Sequence, residues 1–322
     1  MRRRQLIHLA PALLSLAGPS AWASTPPYPV KPVRLLVAFA PGGAGDIVAR
    51  LVARKLGERM GQPVVVENRP GPMAAMAMAA KAPADGYTLV MTTSGTALSS
   101  VLFNSVPYYL MNDFTHVSTL ASFDLVLLTG ARSGLQSAAQ VLSYAKANPG
   151  KLNIGTISVG STQHLAAELF KAMAGIDAVV VPYKSTADVL LALRAADVQV
   201  ALEILPPVLG QIAGKDVRAL ALTSTHRFAG LPDVPTLTEG AIPGFEASSW
   251  NGISVPGKTP PAIVARLAKE VEAVIGMPDV QRELQGLGMV ARASSPGQMA
   301  EHVKAEMAKW KTVIEKAGIP RQ

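Results

Sequence analysis

The sequence predicts an α/β fold with mainly parallel sheets, and three observations carry that expectation. Short apolar runs alternate with helical patterns over most of the 322 residues. Polar loops rich in Gly, Ser and Thr follow those runs, at what would be the carboxyl ends of strands, where open α/β sheets bind ligands. The loops come from two separate regions, the front of the chain and its middle. Two lobes facing one cleft bring them together. At 49% hydrophobic and 16% charged, the chain can bury a large core, and its length suits two domains.

Residues 32–39 are a continuous apolar run, which reads as a buried strand. The following helix places Ile47, Val48, Leu51, Val52 and Leu56 on one face and stops at Gly61. A second strand at 64–67 completes a β-α-β unit. Further strands are predicted at 87–91, 125–129, 152–156, 178–182, 198–203 and 217–223, with an extended segment at 249–255. Helices are predicted at 135–147, 162–173 and 187–195, and beyond Glu203 through Leu209. Three more close the chain near 260–275, 279–286 and 296–317. The polar loops are 39–46, 92–97, 155–164, 183–188 and the turn at Glu203.

The first 23 residues have the plan of a secretory signal peptide. Arg2, Arg3 and Arg4 precede a short apolar core, and Ala21-Trp22-Ala23 sets cleavage before Ser24. Pro11 and Pro19 interrupt the core, which is too short for a membrane span. Arg3-Arg4-Gln5-Leu6-Ile7 also fits a twin-arginine signal, so both export routes stay open. The expected location is the periplasm.

The formal net charge is +8; without the three leader arginines, 27 basic residues face 22 acidic ones, leaving +5. The basic residues are scattered and not interleaved with aromatics, so nucleic-acid binding is unsupported. The absence of cysteine excludes disulfides and thiolate chemistry. No histidine pair has metal-ligand spacing, so neither metal nor cofactor is expected.

The turn Pro41-Gly42-Gly43-Ala44-Gly45-Asp46 runs from a strand into a helix. Glycines allow close backbone approach, and the helix directs N–H groups and partial positive charge at the turn. Val48 stands where a dinucleotide fingerprint needs its third glycine, and no Gly-Lys-Ser/Thr follows. A small anion is therefore the expected guest. The plain structural alternative is a tight turn with Asp46 as a favourable first-turn acid. Ser94 and Thr96 offer hydroxyls in the next polar loop. In the third, Ser158, Ser161, Thr162 and His164 surround Gly160 at a helix start. Ser158-Val159-Gly160 also matches half of a nucleophile elbow, with Thr156 where its first glycine belongs. An exported serine hydrolase using Ser158 and His164 is thus a competing expectation. Tyr183 follows a strand, and Glu203 ends an apolar one, where a carboxylate needs a partner.

Several long stretches resemble the Bug/TctC family of periplasmic solute-binding proteins, which serve tripartite tricarboxylate transport. They include VAFAPGGAGDIVARLVARKLGERMGQPVVVENRPG, ADGYTLVMTTSGT, AKANPGKLNIGTISVGSTQHLAAELFKAMAG, VPYKST and VRALALTSTHRFAGLPDVPTLTEGAIPGFEASSWNGISVPGKTPPAIVARL, and the resemblance spans 31–318. It implies two α/β lobes closing like a Venus flytrap on a small carboxylate or related molecule, without chemistry. The lobes would be 24–124 plus 247–322 and 125–246. It implies ligand contacts from the turn at Phe39, Ala40, Gly42, Gly43, Ala44 and Asp46. The opposite contacts would come from Gly160, Ser161 and Thr162. It also implies membrane transporter components as partners, with a ligand sensor docking on a membrane partner as the alternative, and a monomer. Two departures bear on specificity: the Met/Ala stretch at 72–79, expected to enlarge or dry one cleft wall, and Glu203 where Asp is usual, expected to reach further into the site.

Overall fold

The computed structural model describes residues 28–39, 41, 44–69 and 73–322. The predicted leader, with its cleavage site, and Ala40, Gly42 and Gly43 of the first turn lie outside the described residues.

The chain order is β1 (Val33–Val37), α1 (Ala44–Met60), β2 (Val64–Asn68), α2 (Ala74–Ala80), β3 (Thr88–Thr93), α3 (Ser94–Leu102) and the long β4 (Phe114–Thr129). Then come α4 (Ala138–Ala147), β5 (Leu152–Ile157), α5 (Thr162–Ala174), β6 (Ala178–Tyr183), α6 (Thr186–Ala195) and β7 (Val200–Ile204). The remainder is α7 (Leu209–Ala213), β8 (Arg218–Leu222), α8 (Leu237–Gly240), β9 (Ser248–Pro256), α9 (Pro261–Ile275), α10 (Pro278–Gly286), β10 (Val290–Ala291) and α11 (Pro296–Lys316).

The expected β-α-β units are present. In the first, β1 lies between β2 and β3, all parallel; in the second, β5 lies between β6 and β7, also parallel. Antiparallel strands extend both, so the sheet is mixed, in the order β2-β1-β3-β9-β4-β7-β5-β6, with β10 and β8 also paired to β4. β4 changes partners along its length. It pairs β9 as far as Asp124, and from Leu125 it pairs β7 and β8. One apolar core gathers β1, β3, α1 and α9, with Leu35, Leu56, Met91 and Leu267 buried within it. A second gathers β5, α4 and α5 around Ile154, Phe170 and Phe245.

Three local expectations change. Residues 92–97 are not a loop: they end β3 and open α3. The Thr93 side chain accepts from the Thr96 N–H, and Thr96 Oγ1 accepts from the Thr93 N–H, a reciprocal cap. The Met/Ala stretch, for which no element was expected, is helical where described: α2 follows Met73, and its Ala75, Met76 and Ala79 are core residues. The helix expected from Leu135 starts at Ala138, because Ser137 caps it by accepting from the Gln140 N–H.

Candidate functional site

Sheet direction alone places the polar loops opposite each other. β3 is antiparallel to β9 and β9 to β4, so β3 runs with β4; β7 is antiparallel to β4, so β7, β5 and β6 run against it. The carboxyl ends of β1 and β3 therefore point toward those of β5, β6 and β7. Register gives the spacing. Thr93 is level with Asn251, Asn251 with Ala121, and Ile204 with Leu125. Ala121 and Leu125 are about 13 Å apart along β4 at roughly 3.3 Å per residue. That interval is the size of a small organic molecule. Four helices, α1, α3, α5 and α6, begin at these strand ends and turn their positive N-terminal ends toward it.

On the first side, Asp46 is 2% exposed and braces the turn. Its Oδ2 accepts from Arg50 Nε at 2.9 Å and its Oδ1 from Asn68 Nδ2 at 2.7 Å. The same Nδ2 donates to the Phe39 carbonyl at 3.0 Å, and Asn68 Oδ1 accepts from the Arg50 guanidinium at 3.0 Å. Strand end, helix start and the end of β2 are thus tied together. Phe39 is half-buried against the core, and a Cβ added at Gly45 would collide with its ring. Ser94 and Thr96 are buried. Ser94 bonds Ser249 of β9, and Thr96 Oγ1 donates to the Thr93 carbonyl at 2.7 Å.

On the second side, Ser161 caps α5. Its Oγ accepts from the His164 N–H and donates to the Ile157 carbonyl, both at 3.0 Å. With His164 served, the N–H groups of Thr162 and Gln163 remain at the helix tip. The Ser158 N–H donates to the Tyr183 carbonyl at 2.8 Å, linking the β5 and β6 ends. Gly160 has φ +79° and lies against Leu102 of α3, where a Cβ would collide. This loop thereby touches the opposite side of the molecule.

Glu203 is fully buried. Its Oε2 accepts from Gln163 Nε2 and Thr186 Oγ1, each at 3.2 Å, while Oε1 has no partner. Burial pushes its carboxyl up to about 7 against these bonds. Gln163 and Thr186 lie within the predicted loops 155–164 and 183–188 without having been singled out there, whereas Asn68 and Ser249 come from neighbouring strands.

The hydrolase arrangement is not assembled. His164 is buried, which lowers its pKa, and its Nδ1 has no hydrogen-bond partner. Among the described residues no carboxylate is bonded to the imidazole. None of them forms a His/Asp/Glu group able to hold a metal, and no described helix is long and apolar enough to cross a membrane. A cavity of about 1040 Å³ among the described residues contains none of the predicted site residues. The facing strand ends remain the better candidate, because α1, α3, α5 and α6 begin there.

Residues 48–319 match the family model described as the tripartite tricarboxylate transporter family receptor. The chain is 32% identical to protein BugT of Bordetella pertussis over 322 residues, covering 99% of each. An R. palustris protein solved with adipate is 35% identical, with a TM-score of 0.80, covering 91% of this chain and 99% of that one. The MatC protein of Rhodopseudomonas palustris with bound malate is 29% identical, with a TM-score of 0.74, covering 89% of this chain and 100% of that one. The architecture is the α/β fold of periplasmic solute-binding proteins of this type.

Proposed function

This chain belongs to the family of tripartite tricarboxylate transporter receptors, and from that premise we propose that it is an exported, non-catalytic receptor for a small dicarboxylate. The guest lies between lobe 24–124 plus 247–322 and lobe 125–246, and the lobes close on it. One carboxylate meets the turn of Phe39, Ala40, Gly42, Gly43 and Ala44. The other meets Gly160, Ser161 and Thr162. Delivery is to membrane components of a tripartite transporter.

The observation that carries this reading is the set of helix N-termini on strand ends that face each other across about 13 Å of β4. Backbone N–H donors at both ends suit a molecule that is anionic at both ends. Adipate and malate, held by the two solved relatives, are such molecules. The lobe boundary is supported by the change of β4 partners after Asp124. Periplasmic placement is supported by the leader.

Thermal denaturation in the presence of adipate, malate and acetate tests the reading. A dicarboxylate at a hundred times its Kd should add about 2.7 kcal/mol of stability by mass action, and acetate far less. No shift with any dicarboxylate, together with no retained acid in native mass spectrometry, would sink the proposal.

A further inference from the structure

Two crossings join the proposed lobes, at 124–125 and 246–247, and a hinge at them rests on that lobe reading. The β4–β9 ladder has its last pair at Asp124 and Ser248, and the β4–β8 ladder has its pair at Val126 and Leu222. Leu125 and Ala247 are the next residues beyond the last β4–β9 pair. Thr223, the residue after β8, stands between them.

Thr223 serves both residues with backbone and side chain. Its N–H donates to the Leu125 carbonyl at 3.0 Å, and its carbonyl accepts from the Ala247 N–H at 3.0 Å. The side chain supplies the complementary bonds. Oγ1 accepts from the Leu125 N–H at 2.9 Å and lies 2.6 Å from the Ala247 carbonyl. It also lies 2.9 Å from the Leu125 carbonyl. A hydroxyl has one proton to give. The Leu125 carbonyl already holds the Thr223 N–H, so the shorter contact, to Ala247, takes that proton. All four backbone polar groups of the two crossing residues therefore end on one threonine, which is fully buried.

A ladder resists rotation, because each backbone group is matched to a fixed partner on the next strand. Domain motion has to be absorbed by a few residues where such matching stops. At a buried site those residues still need partners, since an orphaned N–H or carbonyl there is costly. A hydroxyl meets both demands. Its proton turns about the C–O bond and its lone pairs accept over a range of directions, while the β-branch keeps the side chain near one rotamer. We propose that Thr223 is the pin of the interlobe hinge: its hydroxyl holds both crossing strands while the lobes swing, and so sets how widely they stand apart before a guest arrives.

The chain has no cysteine. Spin labels on Lys146→Cys of α4 and Lys269→Cys of α9, both exposed positions, therefore report one interlobe distance by pulsed electron paramagnetic resonance. Thr223→Val keeps the shape and removes the hydroxyl. Its ligand-free distance distribution should be broader than the parent's, and Thr223→Ser, which keeps the hydroxyl, should restore the narrower one. A folded valine variant with the parent's distribution, or a serine variant as broad as the valine one, overturns the proposal and leaves Thr223 a local staple. If the valine variant does not fold, hydrogen exchange of the unsubstituted chain decides. The Leu125 and Ala247 amides should be as protected without ligand as the ladder amides of β4, and exchange at free-peptide rates overturns the pin. Every arm is read without ligand, so the hinge can stand where the dicarboxylate reading falls, and the reverse.

Discussion

Asp46 braces the first turn. Both of its oxygens are engaged, by Arg50 and Asn68, and Asn68 in turn holds the Phe39 carbonyl. Removing the Asn68 amide leaves a buried carboxylate oxygen short of a donor. Asn68→Ala should therefore cost about 1–3 kcal/mol, read as a lower urea midpoint, and Asn68→Asp should cost more by setting a second carboxylate beside the first. Gly160 is constrained differently. Its φ of +79° and the collision of any Cβ with Leu102 both oppose substitution. Gly160→Ala is expected to lose about 1–3 kcal/mol, and a urea midpoint equal to the parent's would show that the loop and Leu102 yield freely. The strand and helix on either side of 41–43 were readable because an apolar run and a helical spacing are local signals. Asn68 was not, because it arrives from the end of a different strand.

Helix starts and strand registers explain what else was legible. Ser161 marked the start of α5 correctly, since a serine before a helical pattern is a cap signal, and its Oγ takes the His164 N–H. Ser161→Ala should cost about 1 kcal/mol in urea denaturation and should weaken dicarboxylate binding by loosening the helix tip; unchanged stability would mean that water replaces the cap. The same residue types misled at Thr93, where Ser, Gly and Thr read as loop but form a capping box. The parallel units were visible because their strands are continuous apolar runs. The first part of β4 was not. Its register against β9 shifts between His116 and Ser118 and again between Thr119 and Ala121. Each irregularity changes which face a side chain takes, so the alternation that signals a strand is erased. The strand that joins the two halves was therefore the one without a readable period.

At the scale of the whole molecule, two buried groups on opposite sides of the Asp124 junction set opposing pH slopes. His116 lies on the first part of β4, with Nδ1 against Ser254 Oγ at 2.9 Å and Nε2 without a partner, and burial lowers its pKa to about 4. An unfolded chain takes up this proton near 6.5 while the folded one refuses it, so stability falls as pH drops from 6.5 to 4. Glu203 has the reverse sign. Its folded value near 7 lies above the 4.5 of the free group, so its contribution is full below 4.5 and is lost as pH rises toward 7. Each shift corresponds to about 3 kcal/mol across its window. Between 4.5 and 6.5 the two slopes oppose one another, one proton against one. Burial also lowers His164 and His302, which add to the His116 direction, and raises Asp124, which adds to that of Glu203. Glu203→Gln keeps the shape and removes one slope. Its urea midpoint should match the parent's at pH 4 and exceed it at pH 8, with a steeper rise across 4.5 to 6.5. His116→Asn should do the opposite, leaving a profile that declines as pH rises through the same interval. If both variants track the parent's profile in parallel, neither group titrates as its burial demands, and the balance between the two halves lies elsewhere.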